Sequence, residues 1–251
     1  MRRMIIAVLL CCLPLLASAS DPRSRFRDIW QAEWAWRLQQ QPQFATSVGV
    51  HAYDDKLGEV GPDAQQYRLQ YWRAVLAQLD RIAPDKLDGA TRIDYLIYRA
   101  QIESFIDNIE LGSSEMPLNS DSAFYTDLAF LPRQHRFVDA DDVRRYIARL
   151  RAIPAYFDQH MALLEAGLKS GRTLPKVVLQ GRDQPIAKVA GLKDPQASGY
   201  YEPLRRPPPG LMPRAQSFAC ASKPPPPRWT ARCRPGRPIL PAAWARDIAG
   251  V

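Results

Sequence analysis

The side chains of this sequence that could do chemistry are few. They are three histidines, His51, His135 and His160, the adjacent carboxylates Asp54-Asp55, and a hydroxyl beside a carboxylate, Ser120-Asp121. Imidazoles announce a zinc site when two of them stand one helical turn apart, and no two of these do. A zinc site would have to be assembled by the fold from all three histidines with scattered carboxylates. Asp54-Asp55 could face a divalent cation, but no further acids follow at the spacing of a calcium loop, so the pair reads as a solvated turn. Ser120 has no histidine at a readable spacing and reads as a loop-capping hydroxyl rather than a nucleophile. His160, beside Asp158 and Gln159, reads as a helix-surface or packed histidine. HExxH, GxSxG, SxxK, P-loop and GxGxxG patterns are absent from the sequence.

The loop that would carry such residues is Glu115–Phe130, EMPLNSDSAFYTDLAF, the longest interior stretch read without a helical period. Pro117, Asn119, Ser120 and Asp121 hydrogen-bond locally rather than extend a helix. A polar, aromatic loop of that length between helices is expected to form a binding surface.

Helical periods lie on both sides of it. Asp21-Pro22 opens a helix to about Gln41 with Phe26, Trp30, Trp34 and Leu38 on its apolar face. Trp30, Trp34 and Trp36 read as core rather than as a carbohydrate platform, since two lie on that stripe. Phe44–Glu59 is expected to be a turn-rich connector. Pro62-Asp63 starts a second helix to about Ala83, with Tyr67, Tyr71, Val75, Leu79 and Ile82 inward. A third, from Asp88 to Ile109, is expected to bury Ile93, Ile97, Gln101 or Ile102, Phe105 and Ile109, with Gly112 beyond its end. Asp139 or Asp141 caps a fourth, long helix to Gly171 whose stripe is Val143, Tyr146, Ile147, Leu150, Phe157, Met161, Leu164 and Leu168. Pro154 should kink it. PKVVLQ is a short helix or extended piece, and Ile186–Ala190 a weak last helix. The sequence has no alternating strand runs, so the expected fold is all-α.

Both ends differ from this body. Arg2 and Arg3, the apolar Met4–Leu16 and Ala17-Ser18-Ala19 have the form of an export signal, giving a mature start near Ser20 and a periplasmic or secreted protein without a transmembrane span. From Arg206 prolines crowd, and 206–251 holds eight Lys/Arg against Asp247. Such a segment is expected to be disordered. Taking +2 for Arg2 and Arg3 and +7 for the tail from the net +8 leaves −1 for 20–205, which excludes the global signature of a nucleic-acid binder. Cys11 and Cys12 fall in the signal, Cys220 and Cys233 in the tail, so the body must stand without disulfides.

FATSVGVHAYDDKLGEV, TRIDYLIYRAQIES, EMPLNSDSAFYTDLAFLP, YIARLRAIPAYFDQHMALLEAGLKSGRTLPKVVLQG and YYEPLRR together resemble the bacterial family of unknown function numbered 885, over about Phe26–Arg206. The resemblance implies a secreted, all-helical protein similar to gluzincin zinc metallopeptidases, with peptide as the substrate class. It implies zinc in the longer relatives, held by an HExxPGH-like helix in their C-terminal half, and no cofactor in this chain, which has no residue matching that helix. By the same resemblance the chain is expected to be the N-terminal part of such a hydrolase, inactive alone. Its loop becomes a wall of a substrate cleft, with Asn119, Ser120, Asp121 and Tyr125 as contacts. The steps in charge and proline near Arg206 suggest that the reading frame shifts there. The alternative is a secreted helical binding module whose cationic tail attaches to anionic membrane or polymer.

Overall fold

A computed structural model describes residues 21–119 and 121–205. The signal-like stretch, Ser120 and the Pro-rich tail lie outside these. The described residues are helical, as expected, with α1 (Pro22–Gln40), α2 (Pro42–Ser47), α3 (Pro62–Leu79), α4 (Gly89–Glu110), α5 (Phe124–Gln134), α6 (Ala140–Arg151), α7 (Ile153–Ser170), α8 (Lys176–Leu179), α9 (Gln184–Ala190) and α10 (Glu202–Arg205). No described helix is long and apolar enough to cross a membrane.

Helices α1, α3 and α4 enclose one core of Phe26, Leu69, Trp72, Val75, Leu79, Tyr95, Ile102 and Ile106. Proline in the first turn starts α1 and α3, where its missing N–H would be unpaired in any case. Asp88 caps α4, its Oδ1 accepting Thr91 N at 3.0 Å.

The faces that these helices bury differ from a purely apolar count. In α1 the buried set is Phe26, Glu33, Arg37 and Leu38, while Trp30 is exposed. Glu33 is fully buried because three donors meet it. Its Oε1 accepts Trp72 Nε1 at 3.1 Å, and its Oε2 accepts Arg37 Nη2 at 2.9 Å and Tyr98 OH at 3.0 Å. Arg37 in turn lies over the rings of Trp34 and Phe105. In α3, Arg68, Leu69 and Trp72 are inside and Tyr67 is out. In α4, Tyr95, Ile102 and Ile106 are buried, whereas Ile93 and Ile97 are 59% and 65% exposed. Tyr95 takes the inward place because its ring meets Phe26 edge-on at 5.6 Å and its hydroxyl donates to Leu79 O at 3.1 Å.

The long helix bends at Ala152, which joins α6 to α7. Pro154 falls in the first turn of α7, so the break precedes it and no hydrogen bond is lost to it. The bend also resets the phase of the buried stripe. Helix α6 buries Val143, Tyr146, Ile147 and Leu150 as expected, but α7 buries Tyr156, His160, Leu163 and Gly167 and leaves Met161 and Leu168 exposed. Tyr201 and Leu204 pack against the α6 face, and Leu57, Phe124, Leu128 and Leu131 gather around Tyr156. Gln159 ties the halves of the molecule together, its Oε1 accepting Val60 N at 2.6 Å and Gly61 N at 2.9 Å.

Candidate functional site

The stretch expected to be one loop, Glu115–Phe130, is a loop only in part. Helix α5 begins at Phe124, and Phe124, Leu128 and Leu131 lie buried on one of its faces. Spacings of four and three residues are a helical period, and it starts too late in the stretch to be seen among the polar residues before it. Thr126 fixes the start, its Oγ1 accepting Ala123 N at 3.1 Å. The described residues before α5, 116–119 and 121–123, are joined by the isolated bridge Leu118–Ala123, with Phe124 N donating to Pro117 O at 3.0 Å.

Asn119 builds the tip of that turn rather than reaching outward. Its Oδ1 accepts Asp121 N at 2.8 Å and Ser122 N at 2.6 Å, and its Nδ2 donates to Ser122 Oγ at 2.9 Å. Asp121 is exposed on the turn. Ser120 lies outside the described residues. Tyr125 is half-buried in the first turn of α5 and donates its hydroxyl to Arg182 O at 2.6 Å. That bond ties the first turn of α5 to Arg182, one of the residues lining an open hollow of about 340 Å³, the others being Val177, Val178, Gln180, Gly181 and Pro185. These lining residues lie in PKVVLQG and the turn after it, outside the residues expected as contacts. They lack the charge pairs and histidines by which a site is usually noticed.

The floor under the turn is aromatic. His160 of α7 stacks on Phe124 with ring centroids 4.2 Å apart and meets Tyr156 edge-on at 4.5 Å. It is a packed histidine with neither ring nitrogen hydrogen-bonded. Burial without a partner disfavours the charged ring and lowers its pKa to about 4. His135, also buried, is held at Nε2 by Asp142 O at 2.8 Å, and burial lowers its pKa as well.

The third histidine belongs to a different assembly, and here the solvated-turn reading of Asp54 fails. Asp54 is fully buried. Its Oδ1 accepts Thr46 Oγ1 at 2.5 Å and Arg149 Nη2 at 3.3 Å, and its Oδ2 lies 2.9 Å from His51 Nδ1. Arg149 also donates to Lys56 O and Tyr53 O, at 2.8 and 2.9 Å. A buried carboxylate needs a cation and donors, and an arginine from far along the chain supplies them. No local spacing could announce that.

This arrangement also decides the fit of zinc. Among the described residues no three His, Cys, Asp or Glu side chains come together as a metal ion requires. The cation beside His51 and Asp54 is the Arg149 guanidinium, and His160 is walled in by aromatic rings. The described residues do not fit zinc.

No curated protein and no solved structure matches the chain. A family profile does, over residues 42–227, so the match starts at α2, later than Phe26, and runs beyond Arg206. With that span matched, the chain belongs to the family described as "Bacterial protein of unknown function (DUF885)".

Proposed function

We propose that the described helices form the N-terminal wall of a substrate cleft in a periplasmic hydrolase similar to zinc metallopeptidases, and that this wall binds peptide without itself holding the metal. The observation that carries the reading is the bond from Tyr125 OH to Arg182 O, which ties the helix following the self-locked polar turn to a residue that lines an open hollow of mixed aliphatic and polar side chains. Such a pairing suits an extended peptide. Asp121 and the exposed backbone of the turn would meet its polar groups, and Val177, Val178 and Pro185 an apolar side chain. The family resemblance supplies the reaction class, amide hydrolysis by a metal-bound water with a glutamate as base. No HExxPGH-like helix stands in this sequence to perform it.

The test is photo-crosslinking of a peptide library to the purified full chain, with the label at Asp121 or at Gln180. We expect capture of peptides that carry an aliphatic side chain, without cleavage, and loss of capture when Gly181→Trp fills the hollow. Equal capture by labels placed on α3, for instance at the exposed Gln78, would overturn the reading.

A further inference from the structure

From Leu168 to Tyr200 the chain has no buried residue. Aliphatic side chains are nevertheless frequent there. Leu179, Ile186, Val189 and Leu192 are 43%, 39%, 49% and 37% exposed, and none of them lines the hollow beside Tyr125. Left in water, they contribute little to folding, and exposed aliphatic groups gathered in one segment mark a contact surface.

The charge of the same segment indicates what it contacts. Residues 174–193 carry Lys176, Arg182, Lys188 and Lys193 against Asp183 alone, a net +3. With 20–205 at −1, everything outside this segment in the body sums to −4. The positive charge is therefore local. Lys176, Lys188 and Lys193 are exposed, and none of the three pairs with a carboxylate among the described residues. Protein interfaces are poor in lysine and rich in aromatic side chains. Residues 168–199 contain no Phe, Tyr or Trp. Aliphatic groups interleaved with lysines, whose long stems let the ammonium stay in the polar layer, fit the boundary of a lipid bilayer instead.

We infer that residues 174–193 seat the protein on an anionic lipid surface. Leu179, Ile186, Val189 and Leu192 enter the headgroup boundary while Lys176, Lys188 and Lys193 meet the lipid phosphates. The contact is peripheral and reversible, and it does not depend on the cleft reading, because none of these seven residues lines the hollow.

The test is co-sedimentation of the full chain with vesicles of phosphatidylcholine alone and of phosphatidylcholine mixed with phosphatidylglycerol. Binding is expected to the mixed vesicles, to weaken with salt, and to be slight on phosphatidylcholine alone. Lys176→Glu, Lys188→Glu and Lys193→Glu together should weaken it on the order of a hundredfold. Serine at 179, 186, 189 and 192 together should weaken it on the order of tenfold. Since none of the seven is buried, both variants should keep the parent helical circular dichroism. Every variant retains the basic residues of 206–251, so attachment through the tail would survive both changes. Unchanged binding in either variant overturns the inference. So does equal binding to both vesicle types, or binding to neither.

Discussion

Arg149 on α6 and Asp54, 95 residues earlier, meet at 3.3 Å between Nη2 and Oδ1 with both side chains withdrawn from solvent. The pair fastens the second half of the described chain to the connector between α2 and α3, since Arg149 also holds the carbonyls of Tyr53 and Lys56.

Breaking that pair should cost far more than the pair itself contributes. Arg149→Met leaves the Asp54 carboxylate buried without its cation, and a loss of about 3–5 kcal/mol is expected. The double change Arg149→Met, Asp54→Asn should cost clearly less than the sum of the two single changes. Urea unfolding of the four proteins measures this, and additive costs would mean that the two groups are not coupled.

His160 gives stability a pH dependence near neutrality. Its folded pKa, about 4, lies below the ordinary 6.5, so between those values the unfolded chain binds more protons than the folded one. Its contribution is complete above about pH 6.5 and is lost as pH falls towards 4. Burial of His135 acts with the same sign. The shift corresponds to about 3 kcal/mol. His160→Phe keeps the stack on Phe124 and should flatten the fall in urea midpoint between pH 7 and pH 5. A variant with the parent's slope would place the pH dependence elsewhere.

Gly167 is the point where α7 touches the segment before the turn. A Cβ there would stand 2.8 Å from Arg172 O and 2.9 Å from Glu115 O. Alanine ordinarily gains about 1 kcal/mol over glycine inside a helix. Here Gly167→Ala should instead lose about 1–3 kcal/mol through overpacking against backbone. It should also loosen the ion pair from Arg172 to Glu115, 2.9 Å long. Thermal melts of both proteins check the sign.

The fold class, the starts of α1, α3 and α4 and the bend near Pro154 were legible because they rest on local chemistry such as proline in a first turn, an Asp cap at 88 or 139, and glycine at 171. Helix α3, however, stops at Leu79 rather than Ala83, and α2 and α5 lie in stretches without an expected helix. The inward faces were less legible. Glu33 is buried because Trp72 and Tyr98 on other helices join Arg37 in donating to it, and Arg149 reaches Asp54 across 95 residues; such pairings leave no local period. The second half of the long helix misled because its stripe was carried unbroken through a joint that rotates it. In the candidate site, Asn119 and Tyr125 read as contacts. The structure uses Asn119 to lock its own turn and the Tyr125 hydroxyl to hold Arg182. Only the latter points to the hollow.

The central claim is a peptide-binding wall that lacks its own metal, and zinc and turnover measured together test it most directly. Purified full chain, dialysed after exposure to zinc, is assayed for bound metal by atomic absorption and for cleavage of the peptides it captures. The account predicts capture with neither retained zinc nor cleavage. One equivalent of retained zinc with turnover would contradict it.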